Sequence, residues 1–476
     1  MGKILIKKDS KLHISEIALF GLIIASLIAL TINFFLPLSQ LNNSIILITI
    51  GIIFVLKKKT FTKNDIKIIF FCSLIAFIIQ IFDTVNRPDA YMYHLPFIQI
   101  IGQEKLIIGL SNLHFRFGHI SIVQYLSTIN HTFLTNINSI LSPIAIYWSL
   151  ILIYFLNDIF KLILKKEDTS IGKIFSLFIL IYISFKINRY SGFGNDAVAH
   201  LTIFYLVSKF LYYSPNNKNN FKLLLLLSVF AITNKVFLIF SALIPAYIFF
   251  KEKINFLDSL KSFAFLFLII WTVKNILISG CIIYPLKTTC FENLDWTNYS
   301  QIEKEQLSGE VWSKGWPQRE DTSISMNDYN KNFYWLKTWF DGHFKNFYKI
   351  ILIYTTLIIS IGILAKGKEK YQIENEKFLI ILSFSFLGIL FFFIKFPLFR
   401  YGYSYIITLI SLLVIKFMFY KLDRIKFFKI SKVVMILCLI TISIKQFQRI
   451  YKYHDVRNIV PQIMLVEDNQ IKNKYR

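Results

Sequence analysis

The chain has 476 residues, of which 55% are hydrophobic, a mean hydropathy of +0.55 and a formal net charge of +25. A soluble domain of this length needs a more charged surface, so the composition excludes an ordinary water-soluble enzyme and points to a membrane. The charge does not argue for nucleic acid, because Lys and Arg gather in short loops between apolar stretches.

The apolar residues cluster into runs long enough to cross a hydrocarbon core of about 30 Å, which takes roughly 20 helical residues. "EIALFGLIIASLIALTINFFL" (16–36) is the clearest, and is too long and too poor in small residues at its end to read as a cleavable signal. The period-2 alternation of outer-membrane strands is absent, so the spans are expected to be helices. The basic N-terminus "KILIKK" is expected on the cytoplasmic side, the uncharged "LPLSQLNN" (36–43) outside, and the basic "LKKKTFTKNDIK" (56–67) inside. The helix at 66–82 then delivers "DTVNRPDAYMYHLP" to the external face. Two amphipathic stretches within 83–138, interrupted by His119, Gln124, Asn130 and His131, fit helices lying in the external interface.

Continuing the same charge map, 161–173 and 214–222 are inside, with "NRYSGFGNDAVAH" (188–200) outside between them. The apolar run 223–250 is broken by "TNK" (233–235), which suits two short helices with Asn234 and Lys235 at an external turn. After the helix near 262–280 comes a polar external stretch, 281–345. Then "AKGKEKYQIENEK" (365–377) is inside, "KFPLFRYGY" (395–403) outside, and "KLDRIKFFKISK" (421–432) inside. The expected architecture is an all-α polytopic membrane protein of roughly 13 spans. It divides into an N-terminal module (1–280), the external segment (281–345), C-terminal helices (346–447) and an external tail (448–476).

The map places Asp83, Asp89, His94, Arg116, Asp196, Lys235 and Arg400 on one face, the external one. An Asp just beyond a helix end is often only solvated, yet ionisable groups close to a bilayer are expensive, and several converging on one side mark a site. In 281–345, Trp296, Trp312, Trp316, Trp335 and Trp339 offer faces for stacking on sugar rings, or an aromatic belt at the interface. Cys72 and Cys438 fall in apolar runs and read as buried residues. Cys281 and Cys290 are spaced to close a small loop in an oxidising compartment, or remain free. No His/Cys cluster has zinc spacing, no soluble cofactor is implied, and "GFGND" (192–196) lacks the strand context of a dinucleotide fingerprint.

This layout resembles the GT-C superfamily of membrane glycosyltransferases: a first external loop opening with an Asp followed by Tyr, a second Asp at the outer start of a later helix, a short-helix hairpin with Lys at its tip, and a large late external loop. "DAYMYHLPFIQIIGQEKLIIGLSNLHFRFG" (89–118) and "NILISGCIIYPL" (275–286) are similar to a bacterial branch of GT-C-like proteins. The resemblance implies a transferase moving a sugar from a polyprenyl-phosphate donor to a lipid or glycan acceptor, at the external face of a bacterial inner membrane, in cell-envelope polysaccharide or lipopolysaccharide modification. Asp89 would be the first-loop carboxylate, with Asp83 as its rival for the base role, and Asp196 the second acidic position. The Asp89-to-Tyr93 spacing favours Asp89. Lys235 and Arg400 would grip lipid phosphate, and His94 and Arg116 would bind phosphate or orient Asp89. The chain lacks the Asp-Glu pair of several GT-C families and the Trp-Trp-Asp signature of oligosaccharyltransferases, which argues against peptide glycosylation and leaves divalent-metal dependence unsupported. A transporter or flippase of lipid-linked oligosaccharide, or a polysaccharide polymerase or ligase, stays open beside this expectation.

Overall fold

The computed structural model describes residues 1–5, 12–58, 60–83, 89–119, 121–164, 170–186, 194, 196–214, 218–260, 262–331, 333–370 and 373–463. Among the described residues the regular structure is helical apart from one small strand pair. In order, a short α1 (Gly2–Leu5) precedes α2 (Ile14–Asn33), α3 (Gln40–Leu56) and α4 (Lys63–Gln80). The first large loop holds a π-helical turn (Ala90–His94), α5 (Leu95–Gln103), two 3₁₀ turns and α6 (Ile122–Thr128). There follow α7 (Ser142–Leu164), α8 (Ile171–Phe185), α9 (Asp196–Leu211), α10 (Lys218–Asn234), a 3₁₀ segment (Val236–Ala242), α11 (Leu243–Lys251), α12 (Phe256–Leu260) and α13 (Phe263–Ser279). The segment after Gly280 carries α14 (Tyr299–Ser313), α15 (Met326–Lys331) and α16 (Trp335–Trp339). The bundle closes with α17 (Lys345–Leu364), α18 (Asn375–Lys395), α19 (Phe399–Met418) and α20 (Arg424–Tyr453). Strands β1 (Lys366–Lys370) and β2 (Lys421–Leu422) pair antiparallel between the last helices.

Among the described residues, six helices are long and apolar enough to cross a membrane: Ile14–Asn33, Ile137–Ile163, Phe347–Leu364, Asn375–Lys395, Phe399–Met418 and Arg424–Tyr453. The expected count of roughly 13 is therefore not met. Five further apolar helices, among them Gln40–Leu56, Ile171–Phe185 and Phe263–Ser279, have only 10–17 residues. At 1.5 Å per residue the longest of these reaches about 26 Å, short of a hydrocarbon core. In α4 the first turn carries Lys63, Asp65 and Lys67, so its apolar part is shorter than the helix. The last helix runs on to Tyr453, past the expected boundary at 447.

Burial explains which helices form the centre. α8 and α9 are buried on nearly every side, with Phe178, Tyr182, Phe204 and Tyr205 in the core. α3, α4, α18 and α20 instead turn large apolar side chains outward, such as Ile48, Phe70, Phe386 and Leu437. An apolar outer surface around a core of this kind suits lipid rather than water as the surrounding solvent.

The first loop departs from expectation. α6 is buried along its whole length and packs among α2, α5, α7 and α10, so it does not lie in an interface with one face wet. Ser121 caps it in a capping box with Gln124, which satisfies its first amides without water. α5 buries Leu95, Phe97, Ile98 and Ile101 on one face, and that amphipathic pattern was the legible part.

Candidate functional site

The break in the apolar run at 233–235 does what its sequence dictates. α10 stops at Asn234, and Lys235 takes an extended backbone before the 3₁₀ segment begins. Asn234 stays inside the protein: its Oδ1 accepts from the Ser121 hydroxyl at 2.8 Å and the Val123 amide at 3.1 Å. The hairpin tip is thereby fastened to the N-terminus of α6.

Lys235 points the other way, into an ion pair with Asp196, the first residue of α9. Its ammonium also donates to the Arg400 carbonyl at 3.2 Å and lies 4.2 Å from the centre of the Tyr401 ring. Arg400, the second residue of α19, sends its guanidinium to Asp89 Oδ2 at 3.4 Å and to the Tyr401 hydroxyl at 3.2 Å. Four residues from four separate parts of the chain thus form two linked acid–base pairs. They differ in depth: the side chains of Lys235 and Asp196 are 9% and 27% exposed, those of Arg400 and Asp89 38% and 42%. The Asp196–Lys235 pair is the floor of the cluster and Asp89–Arg400 its mouth.

Tyr93 and His94 flank the mouth, their rings 4.3 Å apart. The His94 imidazole is buried and accepts at Nδ1 from Gln124 Nε2 at 2.6 Å. Gln124 Oε1 is taken by the Ser121 amide, so the amide nitrogen is the group left to face the ring. Burial pushes the His94 pKa down to about 4 against the opposing pull of Asp89 and Asp196, so the ring is neutral. Arg116 stands 5.8 Å from the Tyr93 ring centre and 4.9 Å from that of Phe115.

His200 is the residue that sequence reasoning missed. It is fully buried one turn after Asp196 and bonds the Arg400 carbonyl through Nε2 at 3.0 Å. Because a carbonyl only accepts, Nε2 carries the proton and Nδ1 accepts from the Ser404 hydroxyl at 2.7 Å. The Arg400 backbone is therefore held by Lys235 and His200 while its side chain reaches Asp89. The i, i+4 spacing of Asp196 and His200 on one helix face was the available signal.

Asp83 is not brought into these contacts. It is buried at the end of α4, two residues after Ile81, whose carbonyl accepts from Arg449 of α20. The turn 192–193 and Asn195, just before Asp196, lies outside the described residues. Among the described residues no group of three or more His, Cys, Asp or Glu is placed to hold a metal ion.

The 275–286 stretch builds a support beside the cluster. Gly280 ends α13 in the left-handed region at φ +74°, and Asn275 Nδ2 folds back to the Ile282 carbonyl at 2.8 Å. Cys281 and Cys290 form a disulfide, and Tyr284 lies against Gly118 and His119. Cys72 and Cys438 are buried and free. Trp335 and Trp339, expected at a belt or a sugar face, are only 1% and 3% exposed and form a small core with Val311 and Tyr329. Trp316 lies under Arg319, Trp296 packs on Gly109, and Trp312 stays exposed. Burying the indoles of 335 and 339 gains more than leaving them at a surface, and Trp339 finds a partner for its N–H in the Pro397 carbonyl at 2.6 Å.

No curated protein and no solved structure matches this chain. A family match runs over residues 1–407, which includes every residue of the cluster from Asp89 to Arg400. The chain belongs to the family described as Domain of unknown function (DUF8201).

Proposed function

We propose that the cluster is the reaction centre of a GT-C-like glycosyltransferase, moving a sugar from a polyprenyl-phosphate-linked donor to a lipid or glycan acceptor. The observation that carries this reading is the paired arrangement of Asp89 with Arg400 and Asp196 with Lys235 at one end of an apolar bundle. Glycosyl transfer from a lipid phosphate needs a base to take the acceptor's proton and cations to stabilise the departing phosphate. Asp89, at the open mouth, is the base, and displacing it from Arg400 frees a guanidinium fork for phosphate oxygens. Lys235 supplies a point charge below, held by Asp196. The active face is external, with the N-terminus cytoplasmic.

The test follows sugar release from a pool of polyprenyl-phosphate donors in reconstituted membranes, comparing wild type with Asp89→Asn. Asn keeps size and hydrogen bonding and removes basicity. The reading requires wild-type turnover and a mutant that binds donor but turns it over at least about a hundredfold more slowly. Turnover by the mutant at the wild-type rate removes Asp89 from the role.

A second reading, a transporter of lipid-linked oligosaccharide, draws on the far end of α9. There Glu16 accepts from Tyr205 at 2.8 Å and Lys209 at 2.7 Å, and Asp158 accepts from Ser176 and Tyr212. Buried charge at both ends of one helix is a feature of transport paths as well as of enzymes. Movement of labelled lipid-linked sugar across the bilayer without donor consumption would select it.

A further inference from the structure

We infer that helix α14 is a strut that fixes the separation of the two cation-bearing loops, with Glu310 and Lys395 as positioning residues for Arg400. That the loops hold a phosphate-bearing substrate rests on the function proposed above.

The N-terminal half of α14 is seated on the Arg116 side. Ile302 is buried against Cys281, Tyr284 and Cys290. Gln306 accepts from the Lys287 amide at 2.9 Å, and Glu303 pairs with the Lys287 ammonium at 2.8 Å. Tyr284 in turn fills the space above Gly118, two residues from Arg116, with its ring 5.2 Å from that of His119. Burial raises the Glu305 carboxyl above its ordinary value, and Arg116 lies close enough to offset part of that rise.

The C-terminal end is seated on the Arg400 side. Glu310 is 6% exposed and its carboxylate is shared by two lysines, Lys314 at 2.8 Å and Lys395 at 3.2 Å. Lys314 also donates to Asn330 at 2.6 Å. The Ser313 hydroxyl reaches the Lys395 carbonyl at 3.4 Å, and Trp339 reaches the Pro397 carbonyl. Residues 395–398 lead directly into α19, where Arg400 is the second residue. From Ile302 to Glu310 is eight residues, or about 12 Å of helix. A rigid element of that length joins the loop of Arg116 to the loop of Arg400.

Two features, one at each side of the Glu310 contact, make the idea testable in both directions. Lys395 is 43% exposed, so replacing it releases the Arg400 loop while leaving the buried Lys314–Glu310 pair intact. Gly309, next to Glu310, has open space where a Cβ would stand, so Gly309→Ala stiffens the strut without a clash.

The experiment is amide hydrogen exchange on the full-length protein in lipid nanodiscs, read at 396–401 and at 109–119, with donor kinetics beside it. Lys395→Met is expected to speed exchange at 396–401 by up to about fivefold with 109–119 unchanged. It is expected to raise the KM for a polyprenyl-phosphate sugar severalfold while kcat changes less than twofold. Gly309→Ala is expected to slow exchange at 396–401. Unchanged exchange there in both variants overturns the strut. Because exchange needs no turnover, a wild type that consumes no donor removes the proposed function and leaves the strut to be judged by exchange alone.

Discussion

Arg400 and Asp89 lie 311 positions apart in sequence and meet at 3.4 Å, with the Arg400 backbone carbonyl anchored by Lys235 and His200 on its other side. The geometry gives Arg400 two duties. Its main chain is part of the scaffold and its side chain is part of the mouth. Substitutions that separate those duties read the site most directly.

Lys235 and Asp196 form the buried pair beneath that mouth. Removing one partner leaves the other largely buried charge without its direct ion pair, so Lys235→Met is expected to destabilise by about 3 kcal/mol. The double variant Asp196→Asn/Lys235→Met should recover most of that loss, because no lone charge remains. Thermal unfolding of wild type, Lys235→Met, Asp196→Asn and the double variant in one detergent measures the coupling. A double variant as unstable as the sum of the singles would mean that the two residues do not act as a pair.

His94 makes stability depend on pH. Its folded pKa lies near 4, below the ordinary imidazole value of 6.5, so unfolding takes up a proton anywhere between the two. Stability from this group is complete above about pH 6.5 and falls as pH drops toward 4, by about 3 kcal/mol in all. Below 4 both states are protonated and the loss levels off. His94→Gln should flatten the unfolding midpoint across pH 4–6.5 relative to wild type.

Gly118 has no room for a methyl group. A Cβ there would stand 2.4 Å from the Tyr284 ring. Gly118→Ala should therefore destabilise by about 1–3 kcal/mol through overpacking. Tyr284→Leu is expected to relieve the clash, so the pair should be non-additive. Equal effects of Gly118→Ala in the two backgrounds would mean that the loops do not touch.

The Cys281–Cys290 bridge closes a short loop at the foot of the 281–345 segment. In the chain-entropy view, a loop of this length contributes about 2–3 kcal/mol. Cys290→Ser should lower the unfolding midpoint, and in the wild type a thiol reagent should label the partly exposed Cys290 only after reduction.

The parts of the fold that were legible are those set by local pattern. Length and hydropathy identified the helices, the "TNK" interruption located the hairpin tip, and basic loops marked helix ends. The span count failed because hydropathy registers apolar residues whether or not they form one unbroken helix, and several runs here fold as helices of 15–17 residues. α6 was misread because His119, Gln124, Asn130 and His131 look like a wet face, while in the folded chain Gln124, Asn130 and His131 find partners within the protein. His200 and Gln124 could not be recognised as partners of Arg400 and His94 because a single polar residue inside an apolar run carries no record of what it faces. Trp335 and Trp339 were placed by composition rules for interfaces, and the local core of α14 to α16 overrode them.

After α20 the chain turns back across the end of the bundle. The Phe82 amide donates to the Ile459 carbonyl, and the Ile463 amide donates to Asn138, 325 positions earlier. Both borders of the first loop are thus tied off by residues made after all the named helices. During synthesis the segment carrying Asp89 has to wait, with its neighbours in the membrane but its edges unfastened, until residues beyond 459 have emerged. A chain interrupted before that point would hold most of its helices and still leave the loop around Asp89 without its final ties.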